Sequence, residues 1–111
     1  MPHLTVEYVD TLADDIKLKS MIDAVHAATN SSGLFTERDI KTRAIPLKNY
    51  RVGDTQETFV HVELRILSGR PVDEKKQLSQ SLLDAVRDQQ WGADQVSVDI
   101  VDMDRSSYSK Y

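Results

Sequence analysis

The sequence contains no cysteine, which excludes disulfides, thiolate metal sites and cysteine nucleophiles. Its three histidines lie far apart, at positions 3, 26 and 61, and form no cluster of metal-ligand spacing. No run of about 18 apolar residues is present to span a membrane, and the first residues lack the basic then apolar profile of a signal peptide. We therefore expect a cytoplasmic protein that does not enter the membrane.

Aromatic residues are also scarce, and the chain has no excess of positive charge. Phe, Trp and Tyr make up 6% of the 111 residues, and the formal net charge is −4. An acidic chain repels nucleic acid unless its basic groups gather on one face, and any anionic ligand requires a local basic pocket. With 40% hydrophobic and 29% charged residues, the composition fits one globular domain over residues 1–111 with a modest core.

Alternation of apolar and polar residues predicts four β-strands. We place them at residues 2–9, from residue 40, at residues 59–67 and at residues 96–101. The third is the clearest, because four apolar residues alternate with polar or aromatic ones. Gly53-Asp54 has turn chemistry, and we expect it to join the second and third strands in a hairpin.

Apolar residues at steps of three and four predict two helices. Thr11 followed by Asp14 has the form of a helix cap for the first, and Gly33 is a natural left-handed stop. Pro71 suits the first turn of the second helix, which Trp91-Gly92 is expected to close. The buried stripes are predicted to be Leu18, Met21, Ile22, Val25 and Ala28, and Leu78, Leu82, Ala85 and Val86.

The order of elements predicts an α+β fold: two βαβ halves that form a four-stranded mixed sheet with two helices on one face. The other face stays bare, and because the first and third strands are apolar we expect it to meet other copies of the chain. The same order is also the ferredoxin-like pattern of noncatalytic binding modules. The tail from Asp102 to Tyr111 carries Tyr108, and we expect it to be frayed or docked on a neighbouring subunit.

Three groups of residues are candidates for chemistry. If Met1 is removed, Pro2 becomes a secondary amine held by a strand, and burial or nearby cations would lower its pKa toward a neutral, basic form. Lys41 and Arg43 share one face of the second strand, roughly 7 Å apart, although edge strands often carry such cations simply to prevent association. His61 and Glu63 share a face but fall short of the three or four ligands of a metal site.

Five short segments, in order and spacing, resemble the 5-carboxymethyl-2-hydroxymuconate isomerase branch of the tautomerase superfamily. They are Pro2-His3-Leu4-Thr5-Val6-Glu7, Gly33-Leu34-Phe35, Ile40-Lys41-Thr42-Arg43, Phe59-Val60-His61-Val62 and Ser68-Gly69-Arg70. The resemblance implies a cofactor-free isomerase, usually a homotrimer, that acts on small unsaturated carboxylates from aromatic breakdown.

By this resemblance, Pro2 is the acid-base group, and Arg70, Arg43 and Lys41 bind the carboxylates of the substrate. Fixed guanidinium groups would also stabilise charge that develops on the 2-oxo group. Lys41 departs from the family pattern, in which we expect arginine, and lysine lacks the bidentate fork. Two other activities of the superfamily stay open: keto-enol tautomerisation of the phenylpyruvate type and hydrolytic dehalogenation.

Overall fold

The computed structural model describes all residues 1–111 and contains four strands and two long helices in the predicted order. The elements are β1 (His3–Val9), α1 (Asp15–Ser31), β2 (Lys41–Leu47), β3 (Phe59–Leu67), α2 (Val72–Asp88) and β4 (Gln95–Met103). Short 3₁₀ turns at Asp10–Leu12 and Glu37–Asp39 lead into α1 and β2. Neither long helix has the length and apolar character that crossing a membrane requires.

The strands form one mixed sheet in the order β2-β1-β3-β4. β1 is parallel to β2 and antiparallel to β3, and β3 is parallel to β4. The two βαβ halves are therefore confirmed, but the predicted hairpin between β2 and β3 is wrong, because β1 lies between them. Gly53 does form a tight turn, closed by a bridge between Val52 and Thr55, but this turn lies within the connection and pairs no strands.

The core lies between the sheet and the two helices, which pack against each other. The predicted alternation is confirmed, since every second residue of the central strands β1 and β3 is buried. Three residues of each helix are buried as well: Met21, Val25 and Thr29 from α1, and Leu78, Leu82 and Val86 from α2. The central position of β1 fixes its first residues between two neighbouring strands.

The helix ends differ from the prediction in detail. The cap of α1 is Asp14, whose carboxylate accepts a hydrogen bond from the backbone N–H of Lys17, whereas Thr11 lies in the preceding 3₁₀ turn. α2 ends at Asp88, before the predicted Trp91-Gly92 stop. Gln90 adopts a left-handed conformation with φ of 55°, and the turned chain leaves Trp91 against the ring of Tyr8, with centroids 5.5 Å apart.

The face of the sheet opposite the helices is polar. β1 contributes His3, Thr5 and Glu7 to this face, and β3 contributes His61, Glu63 and Arg65, all of the parity opposite to the buried residues. The expectation of an apolar bare face is therefore wrong over most of its area, because most apolar residues of both strands point toward the helices, and Phe59 and Leu67 at the ends of β3 are exceptions. Any association of copies through this face has to match charges and hydrogen bonds.

Candidate active site

Pro2 is buried at the end of the central strand. Its carbonyl accepts a hydrogen bond of 3.1 Å from the backbone N–H of Lys41, which extends the parallel pairing of β1 with β2 by one residue. Pro2 has the parity of Leu4, which is fully buried, so its ring belongs to the helix-covered side. The hydrogen bond from β2 and the burial of the ring hold the backbone at Pro2 in place, so an amine at this position would be rigid.

The surroundings of the chain terminus disfavour a positive charge. The pKa of the Met1 amino group is lowered from its ordinary value of 8.0, first by burial and then by the nearby cations Lys41, Lys110 and Arg105, while Asp39 acts in the opposite direction. Lys110 approaches both the Asp39 carboxylate and the sulfur of Met1 at 3.0 Å. Lys110 and Arg105 belong to the tail, so sequence spacing gave no sign that they reach this point.

Three cations surround His3 on the polar face of the sheet, and we call Lys41, Arg43 and Arg65 the basic patch. Lys41 and Arg65 pair with His3 from the two neighbouring strands. Arg43 lies one row further along β2, and its Nη1 donates to His3 Nδ1 at 3.3 Å. The predicted shared face of Lys41 and Arg43 is confirmed. Arg65 was not predicted as a site residue. Its place beside His3 follows from its position in β3 once the antiparallel pairing of β1 and β3 is known.

The basic patch changes the protonation of His3. Burial, followed by the charge of Arg43 and then of Lys41, lowers the pKa of His3 below its usual 6.5. A guanidinium group has only donors, so Nδ1 of His3 must be the acceptor for Arg43. His3 is therefore neutral at pH 7, with its proton on Nε2.

Arg70 does not join the basic patch. Its Nη2 donates to the carbonyl oxygen of Leu34 at 2.6 Å, and its guanidinium carbon lies 5.1 Å from the centre of the Phe35 ring. Its Nη1 lies 3.4 Å from the Glu74 carboxylate, one helical turn along the chain. The structure therefore brings Lys41 and Arg43 together beside His3, while Arg70 ties the loop after α1 to the start of α2.

The tail folds back onto its own chain, so the expectation that it is frayed is wrong. The Tyr108 hydroxyl oxygen lies 3.0 Å from Nε2 of His3, and the two rings meet edge to face. Arg105 Nε donates to the carbonyl of Ser68 at 2.6 Å, and Lys110 pairs with Asp39. Tyr108 and the two basic residues of the tail thus reach the Pro2 end of β1.

Two cavities lie at opposite ends of the sheet. One, of about 330 Å³, adjoins the basic patch and is lined by Arg65, by the end of β4 and by tail residues that include Tyr108. The other, of about 360 Å³, is lined by Val60 and Trp91 among others, and Val60 pairs with Tyr8 at the far end of β1. Only the first is lined by Arg65, which pairs with His3, the residue next to Pro2. His61 contacts neither cavity, and its Nδ1 lies 2.6 Å from the Ser97 hydroxyl.

Comparison with known proteins agrees with the resemblance drawn from the sequence. The model of the 5-carboxymethyl-2-hydroxymuconate isomerase family matches residues 2–97. The 5-carboxymethyl-2-hydroxymuconate Delta-isomerase of Escherichia coli is 25% identical over 89 residues, which are 78% of this chain and 71% of that protein.

Solved structures show the same fold. A 5-carboxymethyl-2-hydroxymuconate isomerase from Deinococcus radiodurans R1 has a TM-score of 0.87 at 24% identity, over 99% of this chain and 88% of the other. A wild-type fused 4-OT, a symmetric trimer, has a TM-score of 0.85 at 18% identity, over 97% and 90% of the two chains. At these identities the likeness concerns the fold, and the family match over most of the chain supplies the assignment. The chain belongs to the 5-carboxymethyl-2-hydroxymuconate isomerase family, which confirms the predicted family and favours an isomerase over a ferredoxin-like binding module.

Proposed function

We propose that the chain moves a carbon–carbon double bond in a 2-hydroxy unsaturated di- or tricarboxylate of the 5-carboxymethyl-2-hydroxymuconate type, without a cofactor and with the Pro2 amine as the acid-base group. The observation that carries this proposal is the burial of Pro2 at the start of the central strand, beside Lys41 of β2 and the tail cations Lys110 and Arg105. We also propose that the reaction takes place in the cytoplasm.

The amine becomes available when Met1 is removed. A free α-amino group ordinarily titrates near pH 7.7 to 8.0. Burial and nearby cations lower the pKa of the Met1 amine. The Pro2 nitrogen is only one residue away, so the same surroundings favour a neutral amine there as well. A neutral secondary amine at pH 7 is a base, and its protonated form is an acid of suitable strength for the return step.

The reaction then needs one proton to move. Pro2 removes the proton of the 2-hydroxyl group, the oxygen becomes a 2-oxo group, and the double bonds shift along the chain. The resulting prolinium ion delivers the same proton to a distant carbon, so that atoms and electrons balance without an oxidant. Negative charge spreads over the oxygen and the carbon chain during the transfer, and the fixed cations near Pro2 stabilise it.

The carboxylates of the substrate account for the remaining basic residues. Arg43 and Lys41 lie on the exposed polar face beside His3 and supply two of the expected contacts. Arg70 reaches a carboxylate through Nη1, whose present partner Glu74 is half-exposed and lies at 3.4 Å. Such a pair contributes little to stability, so a substrate carboxylate can replace it without disturbing the bond to Leu34.

We further propose that the active form is a homotrimer. The fused 4-OT of the same fold is a symmetric trimer. One row across the polar face runs Arg43, Thr5, Glu63 and Asp99 from edge to edge, so this row is basic at one edge and acidic at the other. Such opposite edges attract one another between copies placed head to tail, an arrangement that closes into a ring. Light scattering after gel filtration should then give three times the chain mass of 12.6 kDa.

The activity is tested by following the dienol to enone conversion by ultraviolet absorbance, with protein whose intact mass shows the loss of Met1. We expect turnover of 5-carboxymethyl-2-hydroxymuconate, and a raised KM for Arg43→Met. Arg51→Met is the matched control, because Arg51 is exposed and has no hydrogen-bond or ion-pair partner. Turnover of phenylpyruvate or a haloacrylate alone would instead assign the chain to another activity of the superfamily.

A further inference from the structure

The tail places a tyrosine hydroxyl at the edge of the basic patch. The family match ends at residue 97, so the tail is a feature of this chain beyond the matched region. It is anchored on both sides of Tyr108: Arg105 donates to the Ser68 carbonyl, and Lys110 pairs with Asp39. At its start, the Asp104 carboxylate accepts hydrogen bonds from the backbone and hydroxyl of Ser106. These contacts hold Tyr108 at a defined position.

Arg43 determines which atom donates the proton in the hydrogen bond between His3 and Tyr108. Because Arg43 donates to Nδ1 of His3, the imidazole proton is on Nε2, and Nε2 donates to the Tyr108 hydroxyl oxygen at 3.0 Å. The hydroxyl therefore acts as acceptor toward His3. Its own proton has no partner in the protein, since Tyr108 makes no other side-chain hydrogen bond.

We propose that Tyr108 is a substrate-binding residue, whose free O–H donates to a carboxylate oxygen of the substrate lying against Arg65, and that His3 is the positioning residue that orients it. The proposal rests on the proposed function, because it assigns a subsite to the same anionic substrate. Arg65 and Tyr108 line one cavity of about 330 Å³, which gives the carboxylate a place beside both donors.

Of the two acidic residues that line that cavity, one is neutralised by a cation. Asp102 is paired with Lys75 at 3.1 Å. Asp104 accepts hydrogen bonds from the backbone and hydroxyl of Ser106, which lower its pKa, so it keeps its negative charge beside the cavity. Arg65 has only a distant partner, Glu63 at 4.0 Å. The donors left without a close acceptor are thus the Arg65 guanidinium and the Tyr108 hydroxyl.

A contact to a carboxylate that takes no part in the chemistry is made equally in the ground state and the transition state. Its loss raises KM and leaves kcat unchanged. Tyr108→Phe keeps the edge-to-face ring contact with His3 and removes only the hydroxyl. We expect KM to rise about tenfold, the factor for one net hydrogen bond to an anion.

The test compares Tyr108→Phe with Tyr111→Phe, a matched control because Tyr111 is fully exposed and makes no side-chain hydrogen bond. Two quantities are measured for each: KM and kcat for the isomerisation, and the Kd of muconate, an unsaturated dicarboxylate without the 2-hydroxyl group, by calorimetry. Tyr108→Phe should raise KM and Kd by the same factor, and Tyr111→Phe should change neither. Unchanged muconate binding in Tyr108→Phe, a loss confined to kcat, or no saturable muconate binding by the wild-type protein would each overturn the proposal.

The positioning role of His3 is tested by a double-mutant cycle. His3→Ala should raise the Kd of muconate, and adding Tyr108→Phe to it should raise it little further, because the hydroxyl is already misoriented. Additive effects would overturn the role of His3. Since the muconate measurement does not depend on Pro2, failure of the proline mechanism and failure of this subsite are distinguishable.

Discussion

Arg70 illustrates how a residue expected at the substrate is also part of the scaffold, and Arg70→Met tests this. The substitution removes a hydrogen bond of 2.6 Å from a charged donor to the Leu34 carbonyl, a cation–π contact with Phe35 and a weak pair with Glu74. A hydrogen bond from a charged group contributes roughly 1.5 to 3 kcal/mol, of which we take the lower end because the site is partly exposed. The cation–π contact adds about 0.5 to 1 kcal/mol, and the ion pair less than about 0.5 kcal/mol.

We therefore expect Arg70→Met to lower the free energy of unfolding by about 2 to 3 kcal/mol. With a slope of roughly 1 to 3 kcal/mol per molar urea for a small domain, the urea midpoint falls by about 0.7 to 3 M, measured at one fixed protein concentration. Arg87→Met is the matched control. Arg87 lies on the exposed end of α2 with only Asp84 as partner, at 3.4 Å, and its loss should cost less than about 0.5 kcal/mol.

Equal midpoints for Arg70→Met and Arg87→Met would refute the structural role of Arg70. A raised KM in Arg70→Met, measured well below its unfolding transition, would in addition support the proposed carboxylate contact. A stability loss without any change in KM would leave Arg70 as a purely structural residue and remove it from the proposed site.

Three further predictions concern the scaffold and its pH dependence. Leu82→Ala should lower the free energy of unfolding by about 2 to 5 kcal/mol, because Leu82 is fully buried, whereas Val72→Ala, at a position 61% exposed, should cost far less. Asp14→Ala removes the cap of α1 and should cost about 1 kcal/mol in urea unfolding. His3 has a lowered pKa, so the unfolded chain binds more protons than the folded one near pH 6.5, and stability should rise with pH through that region and fall on acidification. His3→Phe should flatten this part of the profile of urea midpoint against pH, and an unchanged slope would contradict the assignment of a neutral His3.

The strands and helices followed from local pattern. Alternation in β1 and β3 predicted which residues are buried. Alternate side chains of a strand face opposite sides of the sheet, and only one side of this sheet is covered by helices. The position of β1 between β2 and β3 did not follow, since pairing partners are chosen by packing of the whole chain. For the same reason, the turn predicted at Gly53 is present, but the pairing of the second and third strands that was inferred from it is wrong.

The candidate site was predictable only in part. Lys41 and Arg43 share a strand, so their common face could be read directly from spacing. Arg65 joins them only through the register of β3 against β1. Tyr108 reaches His3 from 105 residues away, and no local pattern encodes such a contact. The anchoring of Arg70 to a backbone carbonyl was likewise invisible, because it depends on where the Leu34 loop lies.

The central claim is that the Pro2 amine transfers the proton. The most direct test is the ratio of kcat/KM for wild type and Pro2→Ala, in preparations whose intact masses both show the loss of Met1 and whose circular dichroism spectra coincide. General acid-base catalysis of this kind contributes about 10² to 10⁴ in rate, so we predict a fall of at least about a hundredfold. A Pro2→Ala enzyme that keeps the wild-type kcat/KM would contradict the mechanism.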